Sequence, residues 1–497
     1  MRKRIPIGAA ALGLLVTSLL PAARVGAVEV FDYCLDHPEQ CAISVSHLTE
    51  GWERHLNADR LQSTASTFKI LPLIVYAQAV VDGRIDPDAT IPKEDWARFW
   101  VGRDGGALAR SWEDLGEPDR VTPDQIMRKM IEESDNASPD WLLDQLGKGY
   151  FKSVLQKYVI GYHDLPESIG ATFISWVGNP DEPAIGLRML RDYSGIEALG
   201  YKKELGALFK RLADEDFTRD ARGSSCSTPP WEAADPSCSP LVEDLAQSAV
   251  RRLAGGYFLR SNSRTYNRLL AGILDESLLP AAVQKIVVRH LEWQLEIPEA
   301  SALATRLGTK GGSLAPQNVC NYVAYVELRD SGERLVVSVF LQDLPTNLAC
   351  GDDIQSTELL EGRVLEEGFK QELMDRLPEE EPRPELIARL ESLKRKTRAK
   401  GDQLKGRIRV SNIGPATAEG PFEVWLVASE DATIDRRDET LEKWVLPLLG
   451  AGGNKALRFN AKGLDPLAGN YLFVRVDRKK EVAESGEDND RPWQILD

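Results

Sequence analysis

Between Leu377 and Arg383 the chain reads Pro378-Glu379-Glu380-Glu381-Pro382, too charged and too proline-broken to continue a helix or a sheet. Before this break, helical and strand-like periodicities alternate. After it, only short strand-like runs between turns remain. At 497 residues the chain exceeds the roughly 250–300 residues at which a single core stops growing. The break is therefore expected to divide an α+β body from an all-β tail. Charge narrows the partners: 61 Lys and Arg against 77 Asp and Glu leave a net −16. That is the wrong sign for binding nucleic acid through its phosphates. The histidines, His37, His47, His55, His163 and His290, show no metal-like spacing, so no metal and no cofactor are expected.

Arg2, Lys3 and Arg4 precede an apolar stretch from Ile5 to about Leu20, and Val25-Gly26-Ala27 then offers small residues for cleavage. Residues 1–27 read as a secretory signal. The alternative, an uncleaved anchor, needs about 20 apolar residues. No other long apolar run follows, which excludes a multi-span membrane protein. Export agrees with an even set of six cysteines and no C-x-x-C, a pattern suited to disulfides. The sequential pairing Cys34–Cys41, Cys226–Cys238 and Cys320–Cys350 is expected.

Within the body, Ala42 to Leu48 alternates like a strand. Ala65 to Val81 reads as a helix, with Pro72 in its first turns, where proline does least harm. Thr122-Pro123 opens a second helix as cap and first helical residue, with Ile126, Met130 and Ile131 on one face. Pro139 to Leu146 forms another. A charged, proline-bearing insertion spans roughly 176–240. Helical spacing resumes at Thr265–Leu274 and Pro280–Trp293, and a hairpin joins Tyr322–Leu328 to Arg334–Leu341 through Arg329-Asp330-Ser331-Gly332-Glu333. In the tail, strands are expected at Gln403–Ser411, Phe422–Ala428, Leu441–Leu446, Lys455–Phe459 and Asn470–Val476. Glu385–Leu393 reads equally as strand or helix. Strands this short at this spacing indicate a sandwich of roughly 100 residues.

Three short motifs carry the chemistry. Ser66-Thr67-Phe68-Lys69 is the chain's one S-x-x-K, a pattern that chance alone supplies about once in a chain this long. Its position at a helix start puts Ser66 and Lys69 on one face, and a semi-buried lysine loses proton affinity and can serve as a base toward a serine. Ser134-Asp135-Asn136 lies between two helices, and Lys310-Gly311-Gly312-Ser313 at the edge of the hairpin region, where glycines let a ligand lie against the backbone. Each has a plainer reading alone: a helix cap with a solvated lysine, a polar turn, a glycine turn. Their order on helix, turn and strand edge favours one shared site.

With these motifs the region from Ala42 to Leu344, outside the insertion, resembles the serine β-lactamases and penicillin-binding proteins, closest to the class A-like branch, which carry S-x-x-K, S-D-N and K-T-G. The run from Arg120-Val121-Thr122 to Met130-Ile131-Glu132-Glu133-Ser134-Asp135-Asn136-Ala137 is similar as well. The resemblance implies an antiparallel sheet flanked by helices plus a helical domain, within a hydrolase domain at 28–365. It also implies that Ser66 is acylated, that Lys69 activates it, and that Ser134 passes a proton to the leaving nitrogen beside Lys310. Asn136 would bind the substrate's amide side chain, and the backbone N–H groups of Ser66 and Ser313, next to Gly312, would form the oxyanion hole. Gly311 stands where the family has threonine; Thr309 or Ser313 is the candidate replacement for the lost hydroxyl. Glu167, in Asp164-Leu165-Pro166-Glu167, is the candidate base for deacylation, with a surface glutamate as the plainer reading.

After a charged linker at 366–383, residues 384–497 resemble the CARDB (cell-adhesion-related) immunoglobulin-like sandwich, on Val410-Ser411-Asn412-Ile413-Gly414, Gly420-Pro421-Phe422-Glu423-Val424, Ala432-Thr433-Ile434-Asp435 and the ending Val482-Ala483-Glu484-Ser485-Gly486-Glu487-Asp488-Asn489-Asp490. That implies attachment or spacing at a cell surface through an undefined ligand. Asp431, Asp435, Asp438, Glu487, Asp488 and Asp490 read as solvated loop charge. The expectation is an exported serine hydrolase, secreted, periplasmic or at the cell surface, acting on a β-lactam or related amide. Its rivals are a D-alanyl-D-alanine peptidase acting on peptidoglycan and a non-catalytic surface binding protein.

Overall fold

The computed structural model describes residues 30–97, 99, 106–159, 161–164, 259–314, 319–342, 344, 369–377, 383–398, 401–429, 438–464, 471–477, 482, 484 and 491–494. In the body, β1 (Cys41–His47) pairs with β2 (Trp52–Leu56), and helix α1 (Ile70–Val81) follows the 3-10 turn Ala65–Lys69. Helices α2 (Pro123–Glu132), α3 (Ala137–Tyr158), α4 (Ser263–Leu274) and α5 (Ala281–Leu291) come next, then strands β3 (Ala304–Leu314), β4 (Val319–Leu328) and β5 (Arg334–Leu341). The five strands form one antiparallel sheet in the order β2-β1-β5-β4-β3. The fold is the expected mixed one, helices on an antiparallel sheet.

Alternation along the strands divides the core into two layers. Ala42, Val323, Tyr325, Val336 and Phe340 face the helices, while Ile43, Val45, Tyr322, Ala324 and Val337 face the opposite side. That second side is covered in part by the Val30–Asp36 and Pro298–Leu303 helices through Tyr33 and Ala300. All of β1 is buried, its Ile43 and Val45 side apolar and its helix side carrying Ala42 with the hydrogen-bonded Ser44 and Ser46. Helix α1 sits at the centre of the helical layer with Ile70 through Ala79 all buried. An all-round apolar helix is stable only in such a place, and each large side chain it buries contributes about 1.5–3 kcal/mol.

Local signals mostly hold. Thr122 and Gln125 close a reciprocal cap, Thr122 Oγ1 accepting from Gln125 N–H at 3.2 Å and Gln125 Oε1 from Thr122 N–H at 2.9 Å. Helix α3 runs past the expected end at Leu146 to Tyr158, with a break at Gly147 (φ 71°). The hairpin turn forms, Gly332 taking φ 68°. Cys34 and Cys41 are bonded as expected. Cys320 is also in a disulfide, whose partner, like the expected Cys226–Cys238 bond, lies outside the described residues. So do the signal segment, the insertion and Glu167. Among the described residues no helix is long and apolar enough to cross a membrane.

Phe369–Arg376 is helical, inside the stretch read as a linker. The tail is all β: β6 (Leu386–Arg398), β7 (Gly401–Asn412), β8 (Ala418–Ser429), β9 (Glu439–Leu449), β10 (Asn454–Leu464), β11 (Tyr471–Val476) and β12 (Arg491–Gln494). Sheets β6-β7-β10 and β9-β8-β11-β12 share one core that includes Leu390, Ile408, Phe422, Leu426 and Leu457. The stretch that read as strand or helix is strand β6, with a register shift between Leu390 and Ser392.

Candidate active site

Ser66 sits in the 3-10 turn that opens α1. Around it the chain is tightly held: Ser63 O accepts from Asn321 Nδ2 at 2.6 Å, and Thr64 N–H and Oγ1 both donate to Leu259 O, at 2.8 and 2.9 Å. Thr67 Oγ1 donates to Thr64 O at 2.5 Å. Ala65, just before the serine, takes a left-handed φ of 43°, a conformation that costs a non-glycine residue of order 1 kcal/mol or more. One turn on, Lys69 is fully buried, its Nζ 3.0 Å from Ser66 Oγ.

Ser134 comes from the connection between α2 and α3, also left-handed at φ 59°. What holds this bend is Asp135, which is completely buried. Its carboxylate accepts from Trp96 Nε1 at 3.1 Å, from Ser138 N–H at 2.8 Å, and from the Ser138 hydroxyl. With the middle residue anchored inward, its neighbours Ser134 and Asn136 meet Lys69. Lys69 Nζ lies 3.0 Å from Ser134 Oγ, 2.5 Å from Ser134 O and 2.6 Å from Asn136 Oδ1. An ammonium has three hydrogens for these four oxygens; two of the four are hydroxyls, which can turn their own hydrogens toward a neutral amine.

Strand β3 supplies the third side. Lys310, 5% exposed, places Nζ 3.0 Å from Ser134 Oγ and 2.8 Å from Gly311 O. Two residues on, a Cβ at Gly312 would stand 2.6 Å from Ser66 N and 2.8 Å from Thr67 N, so only glycine lets the strand pass this close to the serine turn. Thr309 points away from the lysine, donating to Gln294 Oε1 at 2.9 Å in a buried contact. Its hydroxyl is committed elsewhere, which corrects the expectation that it replaces the hydroxyl missing at Gly311. Ser313 is exposed and remains the candidate.

The three motifs therefore meet: Ser66, Lys69, Ser134, Asn136 and Lys310 form one hydrogen-bonded cluster beside Gly312. Asp135 as the brace of the bend and Trp96 as its partner had no distinguishing pattern in sequence; only contacts between distant segments reveal them. A second group, His47, Glu50 and Glu333, brings three potential ligand atoms within 4.8 Å of one another. His47 Nδ1 accepts from Glu50 N–H at 3.1 Å, which puts the ring proton on Nε2, the atom facing Glu333 at 3.8 Å. The 3.8 Å separation is beyond hydrogen-bond reach and makes an ion pair only when the ring is protonated.

Residues 28–171 match the model of the Beta-lactamase enzyme family, and residues 383–491 match CARDB. Similar solved structures include a reconstructed last common ancestor of Gram-negative class A beta-lactamases, at 16% identity over 67% of this chain and 95% of that one, with a TM-score of 0.38. Another is the beta-lactamase of Sphaerobacter thermophilus, at 15% identity over 74% of this chain and 97% of that one, with a TM-score of 0.39. No curated protein matches. By its two family matches, the chain joins a beta-lactamase-family segment to a C-terminal CARDB segment.

Proposed function

We propose that the protein is an exported serine hydrolase acylated at Ser66, acting on β-lactams or related amides. The observation that carries this reading is the position of Lys69 Nζ, 3.0 Å from both Ser66 Oγ and Ser134 Oγ. Lys69 takes the Ser66 proton as Oγ attacks the substrate carbonyl. Negative charge on that oxygen is met by the backbone N–H groups of Ser66 and Ser313; one such donor is typically worth about 2.7–4 kcal/mol of barrier. Ser134, between the two lysines, passes a proton to the departing nitrogen. Lys310 keeps positive charge there and attracts the substrate's carboxylate, and Asn136 holds its amide side chain. Glu167 is the proposed base for the deacylating water.

A fluorescent penicillin with peptide mapping of the adduct tests the acylation step. The expected result is stoichiometric label on Ser66; no label on the folded protein favours a non-catalytic binding role. Nitrocefin turnover then separates a lactamase from a peptidase that keeps its acyl group. Glu167→Ala is expected to trap the acyl-enzyme, and unchanged turnover in that variant removes Glu167 from the mechanism. For the tail, the CARDB match supports a role in attachment at the cell surface.

A further inference from the structure

In a chain of net −16, one sheet of the tail concentrates positive charge on its outer face. From β6, β7 and β10, Leu393, Leu404, Ile408, Leu457 and Phe459 point into the sandwich core. Alternation puts their neighbours on the other side. The exposed positions there include Lys394 and Lys396 of β6, Lys405 and Arg407 of β7, and Arg458 and Lys462 of β10. Register sets like charges side by side: Lys394 stands opposite Lys405, and Arg407 opposite Arg458. Facing pairs of that kind weaken a sheet, so folding alone gives no reason for them.

Little acid offsets this charge. The one acid among the described residues of the face is Glu391, which pairs with Arg407 and Arg409 at once, one carboxylate against two guanidiniums. Between Lys394 and Arg409 the sequence holds a single acid, Asp402. It is buried and accepts from Arg395 Nε at 2.9 Å, with Arg395 Nη2 at 2.8 Å. The opposite sheet differs: on β9, Lys443 is matched by Glu423 at 2.7 Å, and Glu439 is exposed. The sandwich is electrically one-sided.

We propose that the outer face of sheet β6-β7-β10 docks the tail onto an anionic phospholipid membrane, its lysines and arginines resting against the headgroup phosphates. The cations spread in two dimensions, about 5 Å apart across strands and about 7 Å apart along them. Such an array matches a plane of charge, whereas a single polymer strand is tracked along a groove. No large exposed apolar residue among those described lies on these strands, so the contact is electrostatic and nothing inserts below the headgroups. Their one aromatic, Phe459, is in the core, which leaves no platform for stacking the bases of a nucleic acid. The acidic remainder of the chain is repelled by the same surface, so this face is the one that approaches. The proposal supplies a partner for the attachment role of the tail and does not depend on Ser66 being the nucleophile.

The test is co-sedimentation of the full chain with vesicles at low ionic strength, where charge is least screened. Wild type should pellet with vesicles of phosphatidylglycerol and phosphatidylcholine in equal parts, and stay in solution with phosphatidylcholine alone. Salt at about 1 M, where the screening length falls to about 3 Å, should release it. Lys405→Gln combined with Lys462→Gln should weaken partitioning roughly 25-fold, about fivefold for each cation removed, with the unfolding midpoint unmoved. Lys152→Gln combined with Lys285→Gln removes the same charge from exposed positions on α3 and α5 and should bind like wild type. Wild type that fails to pellet with the anionic vesicles, or equal weakening by the two pairs, overturns the proposal. Should the first pair not fold, wild-type binding that is the same at low salt and at about 1 M does so. Capture on polyphosphate-coated beads without vesicle binding also overturns it, but keeps attachment through a soluble polyanion. Binding to neither removes the attachment role from this face.

Discussion

Lys69 and Lys310 approach one oxygen from two segments of the chain, each Nζ 3.0 Å from Ser134 Oγ. Only Lys69 also reaches Ser66 Oγ. That asymmetry assigns different work to two chemically identical groups. Lys69 can take the nucleophile's proton, while Lys310 is one hydroxyl removed from it and can only act through Ser134 or on the substrate's charge.

Lys69→Met should therefore abolish labelling by a fluorescent penicillin, slowing it by roughly 10²–10⁴-fold, the usual worth of a general base. Lys310→Ala is expected to raise the penicillin concentration needed for half-maximal rate more than it lowers the rate itself. Labelling of Lys69→Met at the wild-type rate would remove Lys69 as the base.

Asp135→Ala tests the brace behind Ser134. The change strands the buried Ser138 N–H and leaves the Trp96 indole N–H only the longer bond to Ser138 Oγ at 3.2 Å, where an unsatisfied buried donor costs about 1–3 kcal/mol. A stability loss of about 2–5 kcal/mol in denaturant titration is expected, with slower labelling. A variant as stable as wild type contradicts the role given to this residue.

Thr309 and Ser313 are separated by their surroundings. Thr309→Val breaks the buried bond to Gln294 and should cost about 1 kcal/mol of stability without changing affinity for a carboxylate-bearing substrate. Ser313→Ala should do the reverse, weakening affinity severalfold with the unfolding midpoint unmoved. Equal affinities in wild type and Ser313→Ala would leave the hydroxyl missing at Gly311 uncompensated.

Much of this site was legible in the sequence because its parts are local: S-x-x-K encodes one helix face, and the Thr122-Pro123 cap fixes where α2 leads into Ser134. Strand β3 was visible only as an edge, since its paired glycines look like a turn until the serine turn is seen to occupy the space a Cβ at Gly312 would fill. Asp135 was illegible for a different reason. Its partner Trp96 lies far away in sequence, and no periodicity records a contact of that kind. In the tail, β12 carries Pro492 in a four-residue strand, too short for alternation to register.

The polar cluster on β1 and β2 makes the fold sensitive to acid. His55 Nδ1 lies 2.9 Å from Ser44 Oγ, and Nε2 lies 3.1 Å from Glu53 Oε2. The hydrogen bond from His55 leads the effects that outweigh burial and hold the Glu53 carboxyl down at about 2. For a carboxyl depressed in the folded state, the stabilisation is complete above its unfolded value, near 4.3, and fades as pH falls toward 2. Wild type should lose stability between about pH 4.5 and 2, and Glu53→Gln should lack that part of the decline while being less stable than wild type at pH 7. Because the carboxylate is more than half exposed, solvent screening keeps the effect small, so the comparison needs unfolding midpoints for both proteins across the same pH series. Parallel acid limbs in the two would mean that Glu53 is not held by His55.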